Sequence, residues 1–176
     1  MSVIQKLLES LEASVNEGNW YASLTMALIL PDICSKIETP LVPTNKRYPL
    51  WFTTYMDSTY KWHMSGKDCY ALRCSYLHAW NSLTEEQKVK EIIDKFYFIA
   101  DGSHLSSFRN NYANSGDDGK NLCVLSVKKF SIDIKIGVNR WLEKYKDDST
   151  TQEWIKGMLI INEDGLLLYW WMIKLN

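Results

Sequence analysis

The chain lacks a net charge of either sign: 20 Lys and Arg stand against 21 Asp and Glu over 176 residues, a formal balance of −1. No overall field draws it onto bulk nucleic acid, which argues against nonspecific DNA wrapping, although a local groove on a neutral protein can still be positive. Cysteine is scarce and unpatterned, since Cys34, Cys69, Cys74 and Cys123 form no C-x-x-C pair and no small secreted framework. That usage suits reduced thiols in a cytoplasm. Long apolar runs are missing too, the best being Leu166 to Ile173, so no membrane span is expected. Met1 to Leu11 carries Lys6 and Glu9 inside an amphipathic pattern and does not read as a signal peptide. No internal repeat is visible. The segment Gly116 to Gly119 encloses two aspartates and would repel phosphate, which excludes a glycine-rich phosphate cradle there.

Apolar residues make up 46% of the chain, ample for a core, and the length fits one globular domain over 1–176. Eight Trp, ten Tyr and five Phe form an unusually aromatic set, suited to a core, a dimer interface or a base-stacking surface.

Val3, Ile4, Leu7, Leu8, Leu11 and Val15 recur at helical spacing and predict a first helix ended by Gly18. Asn19 caps a second helix through Trp20, Leu24, Ala27 and Leu28, which Pro31 should kink before it continues into Ile33 and Ile37. Thr39 to Arg47, with Pro40 and Pro43, reads as a loop, and Pro49 precedes Trp51, Phe52 and Tyr55 on a short helix. Ser65 and Asp68 have capping-box spacing and open a helix from about Gly66 to about Trp80. Thr84 to Gln87 repeats the capping signal, and strands are predicted over about 91–100 and 121–127, separated by a long polar loop from Asp101 to Asn121. Phe130 to Val138 fits either period, but Trp141, Leu142 and Tyr145 extend the helical one, giving a helix that ends near Lys146. The tail, about 156–174, has the pattern of a β-hairpin with a turn at Asn162 to Gly165. The expected fold class is α+β, mainly α, with a helical core over about 1–90 and 130–147.

The helix Asp68 to His78 holds an arginine and a histidine with four residues between them. A permanent cation beside a group that titrates near neutral pH can hold a phosphodiester and move its protons without a metal. Positions five apart lie about 140° apart around a helix, so Arg73 and His78 meet only through the reach of the arginine, a distortion near the helix end, or a second subunit.

Arg73-x4-His78 resembles the R-x4-6-H signature of the HEPN superfamily, helical proteins that include RNases of toxin, antiphage and CRISPR-associated systems. Its placement near the end of a helix that follows two earlier ones is similar as well. The segments Asn19-Trp20-Tyr21-Ala22, Leu30 to Cys34 and Ser65 to Cys74 also look like a family of uncharacterised bacterial proteins. The HEPN resemblance implies a helical bundle and a homodimer in which two motifs face each other. It implies that Arg73 neutralises the scissile phosphate and that His78 assists 2′-hydroxyl attack or protonates the leaving oxygen, with 2′,3′-cyclic phosphate ends, no metal and no cofactor. The residue after the family's arginine is commonly Asn, Asp or His, whereas Cys74 stands here. The toxin subset carries a regulatory Tyr two residues after the histidine, where this chain has Trp80, so regulation by nucleotidylation is not expected.

The rival expectation is structural, with Arg73 in a salt bridge to Asp32 or Asp68 and His78 a hydrogen-bonded core or helix-end residue. Cys69, Cys74 and His78 match no common zinc module, and a Cys/His nucleophilic pair is equally thin. His63 and His104 fall in loop-like contexts and read as solvated. Phe108, Arg109 and Tyr112 mix a cation with aromatics and are candidate RNA contacts in a loop. The expected function is thus a metal-independent endoribonuclease of a bacterial or phage conflict system, and the alternative is a non-catalytic binding or protein-interaction module.

Overall fold

The structure, a computed structural model, describes residues 2–58, 60–80, 83, 90, 91, 93–109 and 121–161, with backbone alone at 79 and 106–109. Helix α1 (Val3–Asn16) begins at a reciprocal cap: the Ser2 hydroxyl accepts from the Gln5 amide and the Gln5 side chain accepts from the Ser2 amide. It buries Ile4, Leu8 and Leu11 on one face, and Gly18 ends the segment at a φ of +70°, a conformation natural to glycine. Asn19 then caps α2 (Trp20–Glu38) by accepting from the Ala22 amide. Pro31 lies inside this helix, which runs on past it to Glu38. Helix α2 is the central element, packing against α1, against α3 (Thr44–Tyr55) and against α6 (Val127–Lys144).

Helix α3 corrects the expected loop over Thr39 to Arg47, because it starts at Thr44, directly after Pro43. Tyr48, Trp51, Phe52 and Tyr55 lie at i, i+3, i+4 and i+7 and are all buried, so packing outweighs the weak helical preference of a segment that contains Pro49. A short helix, α4 (Tyr60–His63), leads to α5 (Gly66–Ala79). Helix α5 opens with the anticipated Ser65/Asp68 capping box and closes at Trp80, in the left-handed region at φ 49°. A Cβ on Gly66 would lie 2.3 Å from the Pro49 carbonyl oxygen, so the α3–α5 junction admits only glycine.

Strands β1 (Lys95–Ile99), β2 (Ser106–Arg109) and β3 (Asn121–Ser126) form a sheet of order β1-β3-β2, with β1 parallel and β2 antiparallel to the central β3. Strand β2 corrects the single long loop expected over 101–121. Asp94 ties the start of β1 to β3, accepting from the backbone and side-chain amides of Asn121 while also holding Lys90. Ser126 ends β3 and caps α6 by accepting from the Lys129 amide, so the ambiguous stretch Phe130 to Val138 is helix, entered at Val127. Phe130, Ile134, Val138 and Trp141 are fully buried at the seam with the other helices. Helix α7 (Ser149–Lys156), absent from the sequence expectation, precedes the predicted hairpin; 157–161 carry no regular structure, and most of the hairpin lies outside the described residues, as does Thr84 to Gln87.

The fold is therefore α+β and mainly α, a helical core with a small mixed sheet. Among the described residues, no helix is long and apolar enough to cross a membrane.

Candidate phosphodiester site on the seam of two helices

Two contacts define the seam between α2 and α5. Asp32 on α2 meets Arg73 on α5, and eleven residues earlier on α2 Tyr21 meets Tyr76 and Trp80. The helices thus run antiparallel, and Tyr21 and Asp32, three turns apart, share one face of α2.

At the Asp32 end one carboxylate serves two guanidinium groups. Oδ1 accepts from Arg47 Nη2 at 2.6 Å and Oδ2 accepts from Arg73 Nη2 at 2.7 Å. The three side chains are 18%, 10% and 19% exposed in the order Asp32, Arg47, Arg73, so these are desolvated, charge-assisted bonds that join α2, α3 and α5. One negative charge against two positive leaves the cluster with an uncompensated positive charge. Arg47 spends its other terminal nitrogen on the Thr44 hydroxyl at 2.5 Å. Arg73 directs Nη1 at His78, where Nε2 lies 3.4 Å away, and because arginine only donates, Nε2 is the acceptor. The reach of the arginine therefore closes the five-residue gap, with no distortion and no second subunit required. His78 itself is exposed, at the outer end of α5. The Nε of Arg47 and of Arg73 are both buried with no hydrogen-bond partner among the described residues, a cost this cluster carries. Beside it a cavity of about 390 Å³ is lined by Asp32, Lys36, Arg47, Trp154 and Met158.

The remaining candidates fall elsewhere. Asp68 is not the partner of Arg73. Its carboxylate is fully buried, accepting from the amide and hydroxyl of Ser65 and from the amides of Glu91 and Ile93, so it ties the start of α5 to the approach to β1. Cys74 is half-buried beside Tyr70, whose hydroxyl is pushed up by burial first and by its bond to Cys74 second. Burial pushes the Cys69 and Cys123 thiols up to about 12 and the Cys34 thiol higher still, which leaves all three as packing residues rather than nucleophiles. Phe108 and Arg109 sit on β2, opposite Leu122 and Asn121 of β3, and not in a loop. Tyr112 lies outside the described residues. Among the described residues no group of three or more His, Cys, Asp or Glu is placed to hold a metal ion.

One cluster escaped the sequence reading. His104, expected in solvent, has a side chain only 6% exposed, and its Nδ1 accepts from the Ser126 amide while Nε2 lies 2.9 Å from the Tyr60 hydroxyl. Tyr60 in turn donates to Asp133 Oδ2 at 2.9 Å, so Nε2 is the donor to the tyrosine oxygen. Burial, then the Asp133 charge, push the Tyr60 hydroxyl far above its ordinary value. His63 stands on α4 and lines a cavity of about 410 Å³ with His104, Lys129, Asp133 and Arg140. Nothing local in the sequence signals this network, whose partners are 22 and 44 residues from His104.

No protein-family model matches the chain, and no curated protein or solved structure matches it.

Proposed function

We propose that the protein is a metal-independent endoribonuclease of a HEPN-like type, acting as a homodimer in a bacterial or phage conflict system, with Arg73 and His78 as its catalytic pair. The observation that carries this reading is the 3.4 Å approach of Arg73 Nη1 to Nε2 of an exposed His78, within a cluster that holds one positive charge in excess. A phosphodiester placed between them takes the Nη1 donor through a nonbridging oxygen and frees Nε2 to accept the 2′-hydroxyl proton. The 2′-oxygen then bonds to phosphorus as the bond to the 5′-oxygen breaks, leaving a 2′,3′-cyclic phosphate and a 5′-hydroxyl. Each protomer supplies one histidine at this site, so protonation of the leaving oxygen falls to the second His78 of a two-fold pair. Asp32 holds Arg73 in place through Nη2 and leaves Nη1 for the substrate.

The 2.7 Å ion pair between Arg73 and Asp32 favours a second reading, a non-catalytic binding module in which the pair joins helices. Incubation with diverse RNAs in EDTA separates the two. Cleavage with cyclic phosphate ends is the expected result, and intact RNA throughout would leave only the binding module.

A further inference from the structure

Trp80 and Tyr21 are the exposed ends of the same seam, at 70% and 73% exposure. Trp62 is as open to water, at 77%, so what sets the Trp80/Tyr21 pair apart is that it is held in place. Trp80 caps α5 in the left-handed region at φ 49°, with its amide bonded to the Ser75 and Tyr76 carbonyls. A bulky residue held there bears backbone strain that glycine would avoid, and such strain collects at functional positions. Beneath it, the Tyr76 ring lies 5.0 Å away, centroid to centroid, and Tyr76 is itself buried. Tyr21 stands edge-on to Trp80 at 6.3 Å and 61°, so the two rings make an open corner with a face and an edge.

We propose that the Trp80/Tyr21 corner is a nucleobase-stacking subsite for single-stranded RNA, next to the Arg73/His78 phosphodiester site. This deepens the endoribonuclease reading and rests on it for the position of the cleaved bond. The occupant follows from what lies along the seam. Trp80 is seven residues beyond Arg73, about 10 Å along the helix, so the corner lies within one or two nucleotides of a phosphate held at Arg73. A ligand that matches both ends must offer a π-face and, at that spacing, a negative charge, which is the chemistry of a nucleotide chain. Stacking of this kind accepts any base, so the subsite contributes affinity with little sequence preference.

The test is binding of a labelled ten-nucleotide 2′-O-methyl oligoadenylate, which lacks the attacking hydroxyl, to the full chain in EDTA, beside a 2′-O-methyl abasic ribose-phosphate oligomer of the same length and charge. Trp80→Ala should weaken oligoadenylate binding about tenfold and the abasic oligomer less than twofold. Trp80→Phe should retain most of the affinity, and Trp80→Gly should lose it while remaining at least as thermally stable as the wild type. Equal weakening on both oligomers, no weakening, no binding by the wild type, or conversion of a dimer to a monomer by Trp80→Ala would each overturn the subsite, the last marking the corner as a subunit contact. Base-dependent, Trp80-dependent binding without cleavage of unmodified RNA supports the subsite while the endoribonuclease reading fails, so the two are judged separately.

Discussion

Among the polar networks that hold helices together in the described residues, the Asp32 and His104 networks differ in how they end. The Asp32 network runs from Arg47 through Asp32 and Arg73 to His78, and its last member stands in water. The His104 network runs from the Ser126 amide through His104 and Tyr60 to Asp133, and its histidine has a partner on each ring nitrogen. In the sequence His104 reads as a solvated loop residue and His78 as an acid–base group or a hydrogen-bonded residue, whereas in the structure His104 is buried and His78 exposed. The two histidines differ in what their neighbours leave open, one being enclosed at both ring nitrogens and the other exposed. His104 is a cross-link among the loop before β2, α4 and α6, whereas His78 stands exposed at the end of a charged chain with Arg73 Nη1 3.4 Å from its Nε2, a donor that the proposed reaction hands to a phosphate oxygen.

The largest effect is expected at the shared carboxylate of Asp32. Asp32→Ala leaves two largely buried guanidinium groups facing each other and should cost about 3 kcal/mol, seen as a lowered midpoint in urea with an unchanged slope. Arg73→Ala should cost only about 1 kcal/mol in the same experiment, because Asp32 keeps Arg47. Equal losses for the two would mean that Asp32 is not the hub. At the sealed network, Tyr60→Phe preserves the ring and removes the hydroxyl between His104 and Asp133, for a loss of about 1–2 kcal/mol and no change in RNA cleavage.

The smallest effect is one of pH. Burial raises the Asp94 carboxyl, but hydrogen bonds from Lys90 and Asn121 outweigh it and hold the group below its ordinary value. A carboxylate lowered on folding stabilises the protein above the unfolded value, near pH 4, and that contribution fades as pH falls through the lower folded value. Thermal melts between pH 5 and pH 2.5 should therefore show a smaller decline for Asp94→Asn than for the wild type. Parallel curves would remove Asp94 from the account of how the sheet is tied.

Local signals in the sequence carried much of this fold. The Asn19 and Ser65 caps, the glycine stop at Gly18 and the helical run through Trp141 are all short-range, and each marks an element where it is found. The start of helix α3 is obscured because Pro40 and Pro43 read as loop punctuation, while what holds its first turn is a bond from Arg47 to Asp32, 15 residues away. Strand β2 has only Ser-Ser-Phe-Arg, with no alternation to announce it, and gains its form from pairing with β3. In the candidate site, Asp32 and Asp68 were equal partners for Arg73 on paper. The capping box commits one oxygen of Asp68 to Ser65, but the other is taken by the amides of Glu91 and Ile93, 23 and 25 residues away, a pairing that no local signal announces and that leaves Asp32 for Arg73. The meeting of Arg73 with His78 depends on a side-chain conformation, which helical periodicity does not specify.

The account stands most directly on His78→Ala, measured for RNA cleavage in EDTA and for thermal stability on the same preparation. An exposed helix-end histidine that works as the acid–base group should lose cleavage by about 10²-fold or more while the melting temperature stays within about a degree of the wild type. Cleavage at the wild-type rate in that variant would contradict the assignment of the reaction to this pair.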